Sequence, residues 1–183
     1  MDIRSSRLLH EQFEAQARQT PDAVALSFDG DCISFVELHD RADRIAELLS
    51  AKGVGEGAFV GVHIERSIDY VAVLLGILKS NCAVVPLPPS YPEIRLREIL
   101  DFANLDAVID NECTPLDPSW TRHVVHLAEA EPFQRPTPER PIPPNIDARV
   151  HRAASPQQPA FVLCSSGTTG KPKMIVRSHG SFF

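Results

Sequence analysis

Between Phe59 and Leu127, apolar runs of strand length alternate with segments of helical period, and this alternation limits the folds open to the chain. Phe59 to His63, Ala83 to Leu87, Ala107 to Ile109 and His123 to Leu127 read as strands. Ser67 caps a helix that is apolar almost all round from Tyr70 to Leu78, so that helix is expected to be deeply packed. Pro92, at a first helical position, opens another with Ile94, Ile99, Leu100 and Ala103 facing inward. Strand-helix-strand-helix-strand implies right-handed crossovers and a largely parallel sheet flanked by helices, an α/β fold.

The preceding segment adds to that frame. Leu9, Phe13 and Ala17 recur at four-residue spacing, as on an amphipathic helix, which is expected to stop near Thr20-Pro21. Ala23 to Phe28 reads as a strand, and Asp29-Gly30 suits a two-residue hairpin turn into Cys32-Ile33. Ser34 and Glu37 form a capping box for a helix burying Leu38, Ala42, Ile45, Leu48 and Leu49, with Lys52-Gly53 as its stop. From Glu131 to Pro159 there are eight prolines, four arginines and few large apolar residues, which reads as an extended surface connection within one domain.

Composition excludes several classes. A chain of 183 residues defaults to one domain, burying roughly 70% of its unfolded surface. The net charge of −6 with no basic run argues against nucleic acid or an anionic membrane as partner. The longest apolar run, Val71 to Leu78, is too short to span a bilayer, and Met1-Asp2-Ile3-Arg4 has no signal-peptide core. Cys32, Cys82, Cys113 and Cys164 are widely spaced with no Cys-x-x-Cys pair, and Cys82 and Cys164 sit in or beside apolar runs, so buried reduced thiols in a cytoplasmic protein are expected rather than disulfides or a metal site.

The segment with chemistry in it is Cys164-Ser165-Ser166-Gly167-Thr168-Thr169-Gly170-Lys171-Pro172-Lys173. Ala160 to Leu163 leads in as a strand and Met174 to Val176 leads out as another. Between them stand hydroxyls at Ser166, Thr168 and Thr169, two glycines that let backbone N–H groups face outward, and two lysines. Donors and positive charge converge, which suits a polyphosphate; a plain hairpin turn with solvated lysines is the alternative, since Gly, Ser and Thr are common turn residues. It is not a Walker A loop, which needs glycine at 165 and a hydroxyl at 172.

Ser165 to Lys173 resembles the third core motif of adenylate-forming enzymes, the family of peptide-synthetase adenylation domains, acyl-CoA synthetases and luciferases. Other segments are similar to peptide-synthetase adenylation domains in the same order. These are Leu9-His10-Glu11-Gln12-Phe13 with Thr20 to Leu26, Ile33 to Leu38 as a first motif, and Leu78 to Leu87 as a second, continued by Ser90-Tyr91-Pro92 with Arg95-Leu96. The first two motifs read as scaffold. Three departures stand out. Asn81 replaces a glycine, and Asn tolerates the left-handed conformation that a helix stop needs. Pro88 replaces an aspartate with no loss of chemistry. Met174 replaces the motif's last glycine and is harmless only at an ordinary strand position.

The resemblance implies that the chain is the first, incomplete part of a large N-terminal domain. It implies attack of a carboxylate on the α-phosphate of ATP, with Mg²⁺, and transfer of the acyl group to a thiol such as a carrier protein's phosphopantetheine. On this basis Ser165, Ser166, Gly167, Thr168, Thr169, Gly170 and Lys171 cradle phosphate, with Thr168 and Thr169 making direct side-chain contacts and Lys173 the next basic candidate. No catalytic residue and no metal ligand is assigned within the chain. The family's adenine, ribose, metal and acid-binding motifs lie downstream, so residues 1–183 alone are expected to be inactive and to need a C-terminal complement. Met1 just before the first motif suggests a free-standing or module-initiating enzyme. An amino acid is the expected substrate and an aryl or fatty acid the alternative. A rival reading makes the chain the non-catalytic half of a split enzyme, or a truncated relic, with Phe182 and Phe183 on an association surface. His123 and His126 are expected as ordinary strand histidines on opposite faces, Glu65-Arg66 as a solvated turn, and Ser178 as the cap of a helix at His179.

Overall fold

A computed structural model of the chain describes residues 8–111, 113, 116–117, 119, 123–130, 155–166 and 172–183. Helix α1 spans Leu9–Gln19, and strands β1 (Val24–Phe28) and β2 (Asp31–Ser34) follow as a separate antiparallel hairpin. Asp29 and Gly30 turn it with φ of 51° and 89°, the primed geometry that matches strand twist. Next come α2 (Phe35–Ala51), β3 (Phe59–His63), α3 (Ile68–Lys79), β4 (Ala83–Pro86), α4 (Glu93–Ala103), β5 (Ala107–Asp110), β6 (Val124–His126), β7 (Pro159–Ser166) and β8 (Pro172–Ser178). The second sheet has six strands in the order β6-β5-β3-β4-β7-β8. Every pairing in it is parallel except β7 with β8. The largely parallel α/β architecture read from the sequence is the one observed.

Alternate residues of the strands supply two cores. Val60, Val62, Val84, Ile109 and Ala160 face α2 and α3. Val85, Val108 and Val162 face Leu96, Ile99, Leu100 and Ala103 of α4. The period-2 alternation of strand side chains thus covers both faces of one sheet. The helices begin where their caps place them. Ser34 Oγ accepts from Glu37 N (3.3 Å), Ser34 N donates to Glu37 Oε2 (2.9 Å), and Ser67 Oγ accepts from Tyr70 N (3.0 Å). Asn81 ends α3 at φ 57°, the left-handed conformation expected of it.

Several expectations need correction. Ile94 is 72% exposed, not inside. It stands two residues before Leu96, about 200° round the helix from the buried stripe. Pro92 is the residue before α4 rather than its first residue, though its missing N–H is harmless at either place. Ser178 makes no side-chain cap, and a single 3₁₀ turn, His179–Phe182, follows it. All four cysteines are free, but Cys32 and Cys113 are exposed and only Cys82 is fully buried. His123 precedes β6 instead of lying in it. Most of the proline-rich stretch, 131–154, lies outside the described residues.

Candidate functional site

Two apolar runs flanking a glycine-rich string fold as the antiparallel pair β7 and β8, whose described residues run past the end of β4. β4 pairs with β7 at Val84↔Phe161 and ends at Pro86, which on that register stands beside Leu163. Cys164, Ser165 and Ser166 therefore run beyond the C-terminal end of β4, still paired with β8 through Cys164↔Met174, Ser165↔Lys173 and Ser166↔Pro172. In open α/β sheets this edge is where ligands bind. Gly167, Thr168, Thr169, Gly170 and Lys171 lie outside the described residues. Of the expected phosphate-binding side chains, Ser165 and Lys173 are described. Both are exposed and stand opposite one another at the foot of the loop. Met174 is an ordinary strand residue packed towards α4, and it is not among the described non-glycine residues with positive φ, so the missing glycine leaves no strain there.

One neighbour of this site was not expected from the sequence. Arg95, in the first turn of α4, donates from Nη2 to the carbonyl of Cys164 (3.2 Å) and from Nη1 to Glu98 Oε2 (3.1 Å). Burial pushes the Cys164 thiol up, with the Arg95 charge pulling the other way. Its place beside Ser90-Tyr91-Pro92, at the turn into a helix on the ligand edge of the sheet, was the sequence signal for Arg95.

Farther along the same edge, His63, Asp110 and His126 end three neighbouring strands in register. Asp110 is fully buried, with His126 Nδ1 2.6 Å from one carboxylate oxygen and Leu116 N donating to the other (2.9 Å). This pair pins the chain that follows β5. At the opposite end of the sheet, where β3 begins, Lys52, Glu56, Asp106, His123 and Gln158 help line a cavity of about 920 Å³. Among the described residues, no group of three or more His, Cys, Asp or Glu is placed to hold a metal ion, and no helix is long and apolar enough to cross a membrane.

A family model described as AMP-binding enzyme matches residues 13–183. The chain belongs to the AMP-binding enzyme family. It is 34% identical over 174 residues to tyrocidine synthase 1 of Brevibacillus parabrevis, a match that covers 93% of this chain and 15% of that one. Among solved structures it resembles an artificially fused adenylation–PCP di-domain nonribosomal peptide synthetase, NpsA-ThdA, from Klebsiella oxytoca, with a TM-score of 0.78 and 27% identity, covering 95% of this chain and 33% of that one. It also resembles the nonribosomal peptide synthetase FmoA3 in its AMPPNP-bound form, with a TM-score of 0.76 and 29% identity over 95% of this chain and 17% of that one. As an AMP-binding enzyme sequence, the chain spans a small part of the synthase and well under half of either solved chain. Its likeness is to adenylation units of peptide synthetases, as the motif order implied.

Proposed function

We propose that this chain supplies the phosphate-holding part of an enzyme that activates a carboxylic acid with ATP as an acyl-adenylate. An amino acid is the substrate class favoured, because the relatives are peptide synthetases. The observation that carries the reading is the projecting β7–β8 hairpin. It carries Ser165 and Lys173 opposite one another past the end of β4, at the ligand edge of a parallel sheet, and in the sequence Gly167 to Lys171 stand between them. Hydroxyl, N–H and ammonium groups at such a place bind and orient the β- and γ-phosphates and offset the charge that develops as pyrophosphate leaves. The AMPPNP-bound neighbour supports ATP as the nucleotide. Mg²⁺, which would neutralise phosphate charge, fits as an ion carried in on the phosphates. The described groups at the hairpin foot, Ser165 and Lys173, suit phosphate oxygens and not a divalent cation.

Transfer of the acyl group to a carrier-protein thiol is the favoured second step, and the adenylation–PCP fusion among the neighbours supports it. A cytoplasmic setting suits the four free thiols. The substrate's acid-binding groups are assigned to polypeptide beyond residues 1–183. Leu163, Ile175, Val176, Phe182 and Phe183 are between 42% and 50% exposed. These exposed apolar side chains, on both faces of the β7–β8 pair and on the turn after it, favour a second reading, in which the chain acts as a non-catalytic half bound to a complement.

Carboxylate-dependent ATP–pyrophosphate exchange tests both readings. The whole polypeptide that naturally carries these residues is expected to exchange with one or a few amino acids. Exchange with aryl or fatty acids alone transfers the assignment to those substrates. The isolated 183-residue chain is expected to show none, and robust exchange by it would end the claim that it needs a complement.

A further inference from the structure

We propose that Arg95 is a positioning residue that sets the foot of the phosphate loop. This deepens the ATP reading and rests on it. β4 stops at Pro86, one residue short of the level of Cys164, so from Cys164 onward β7 has β8 on one side and no residue of β4 on the other. The Arg95 guanidinium holds that stretch instead, through the Cys164 carbonyl at 3.2 Å. It is well placed to hold it firmly. Its side chain is 19% exposed, and its second arm is fixed on Glu98 Oε2 at 3.1 Å. Its helix is seated in the core by Leu96, Ile99, Leu100 and Ala103. Cys164 and Met174 pack against the same cluster, so helix and hairpin meet on one face.

The consequence is geometric. Cys164 is three residues before Gly167, and the ladder carries its position across to Lys173 through Ser165↔Lys173. A shift at the Cys164 carbonyl moves both sides of the loop together. A guanidinium serves the carbonyl and Glu98 at once through its planar fork. A lysine ammonium keeps the charge and reaches the carbonyl with less directional hold. The residue thus works through the loop and not by contact with substrate.

The test uses the whole polypeptide that naturally carries the chain, as wild type, Arg95→Gln and Arg95→Lys. Pyrophosphate exchange gives kcat and the KM values for ATP and for the acid. Hydrogen–deuterium exchange without nucleotide gives the protection of residues 164–176, with α2 and α3 as internal controls. Arg95→Gln is expected to raise KM for ATP about tenfold, the size of one lost charge-assisted hydrogen bond. KM for the acid stays put, deuterium uptake quickens over 164–176, and α2 and α3 do not change. Arg95→Lys recovers KM for ATP to within about threefold of wild type. Unchanged KM for ATP with unchanged uptake over 164–176 overturns the proposal and leaves the ATP reading standing. Faster uptake throughout the chain also overturns it, because Arg95 would then be a general stabiliser. If the wild type turns over no ATP with any acid, the ATP reading fails. Faster uptake confined to 164–176 in Arg95→Gln then still identifies Arg95 as the hairpin's anchor, and unchanged uptake removes that too.

Discussion

Lys79 shows how far a residue's setting can depart from its place in a motif. It closes an apolar helix, where a lysine ordinarily reaches for water, yet it is 3% exposed. Its ammonium lies 3.0 Å from Glu14 Oε1, itself on a residue 2% exposed, and pairs closely with Asp43 Oδ1. It donates to His39 Nε2 at 3.1 Å, and His39 Nδ1 faces Asp43 Oδ2 at 3.2 Å. The imidazole can accept from Lys79 only when it is neutral with its proton on Nδ1. Three helices, α1, α2 and α3, are tied by this one cation. Removing one partner of a buried ion cluster leaves the others desolvated without compensation, at a cost of about 3 kcal/mol. Lys79→Met is therefore expected to lower the unfolding free energy by about that amount in urea titration. Adding Glu14→Gln is expected to cost less than the two single changes summed, by about 1 kcal/mol of coupling. Strict additivity would mean that the cluster is not one unit.

Among elements, the crossing of α2 and α3 is the tightest constraint. A Cβ added at Gly76 would stand 2.7 Å from Ile45 Cβ and 2.8 Å from the Ala42 carbonyl. The second neighbour is backbone, so the helices themselves would have to separate. Gly76→Ala is expected to destabilise by about 2 kcal/mol despite alanine's better helix propensity. A neutral or stabilising result in thermal or urea melts would show that the crossing is looser than this. The sequence made the helices legible but not this contact. The Ser34–Glu37 box, the Ser67 cap and left-handed Asn81 could all be read, because each is settled by residues within one turn. The exposure of Ile94 and Cys32, the burial of Glu14 and the grip of Arg95 on Cys164 depend on segments far apart in sequence. The string Ser165 to Lys173 was legible through its resemblance to a family motif, because the residue types alone also suit a plain turn. That Cys164 to Ser166 run past β4 depends on where Pro86 ends the neighbouring strand, which no local pattern settles.

On the scale of the whole molecule, the two ends of the described chain are fastened together. Leu9 N donates to His179 Nδ1 at 3.2 Å, and the His10 and His179 rings meet edge to face at 5.7 Å. His179 is 1% exposed, and burial holds its pKa below the usual 6.5. His39 is also held below 6.5, first by burial, then by the Lys79 charge, with Asp43, Glu14 and Asp40 pulling the other way. Both histidines are therefore neutral in the folded chain at a pH where the unfolded chain already binds a proton. Folding stability is complete above the unfolded value of 6.5 and falls as the pH drops below it towards the folded values. Each histidine contributes a slope of at most about 1.4 kcal/mol per pH unit in that window. The urea midpoint is expected to be level from pH 8 to 7 and to decline between about pH 6.5 and 5, ahead of the range in which ordinary carboxylates titrate. His39→Gln and His179→Gln are each expected to flatten part of that decline while lowering the plateau. A midpoint that stays level to pH 5, or rises, would mean that neither imidazole is kept neutral by its surroundings. The cluster on Lys79 and the clasp between Leu9 and His179 would then be open in solution, and α1 would not be held against the sheet's helical layer as the structure places it.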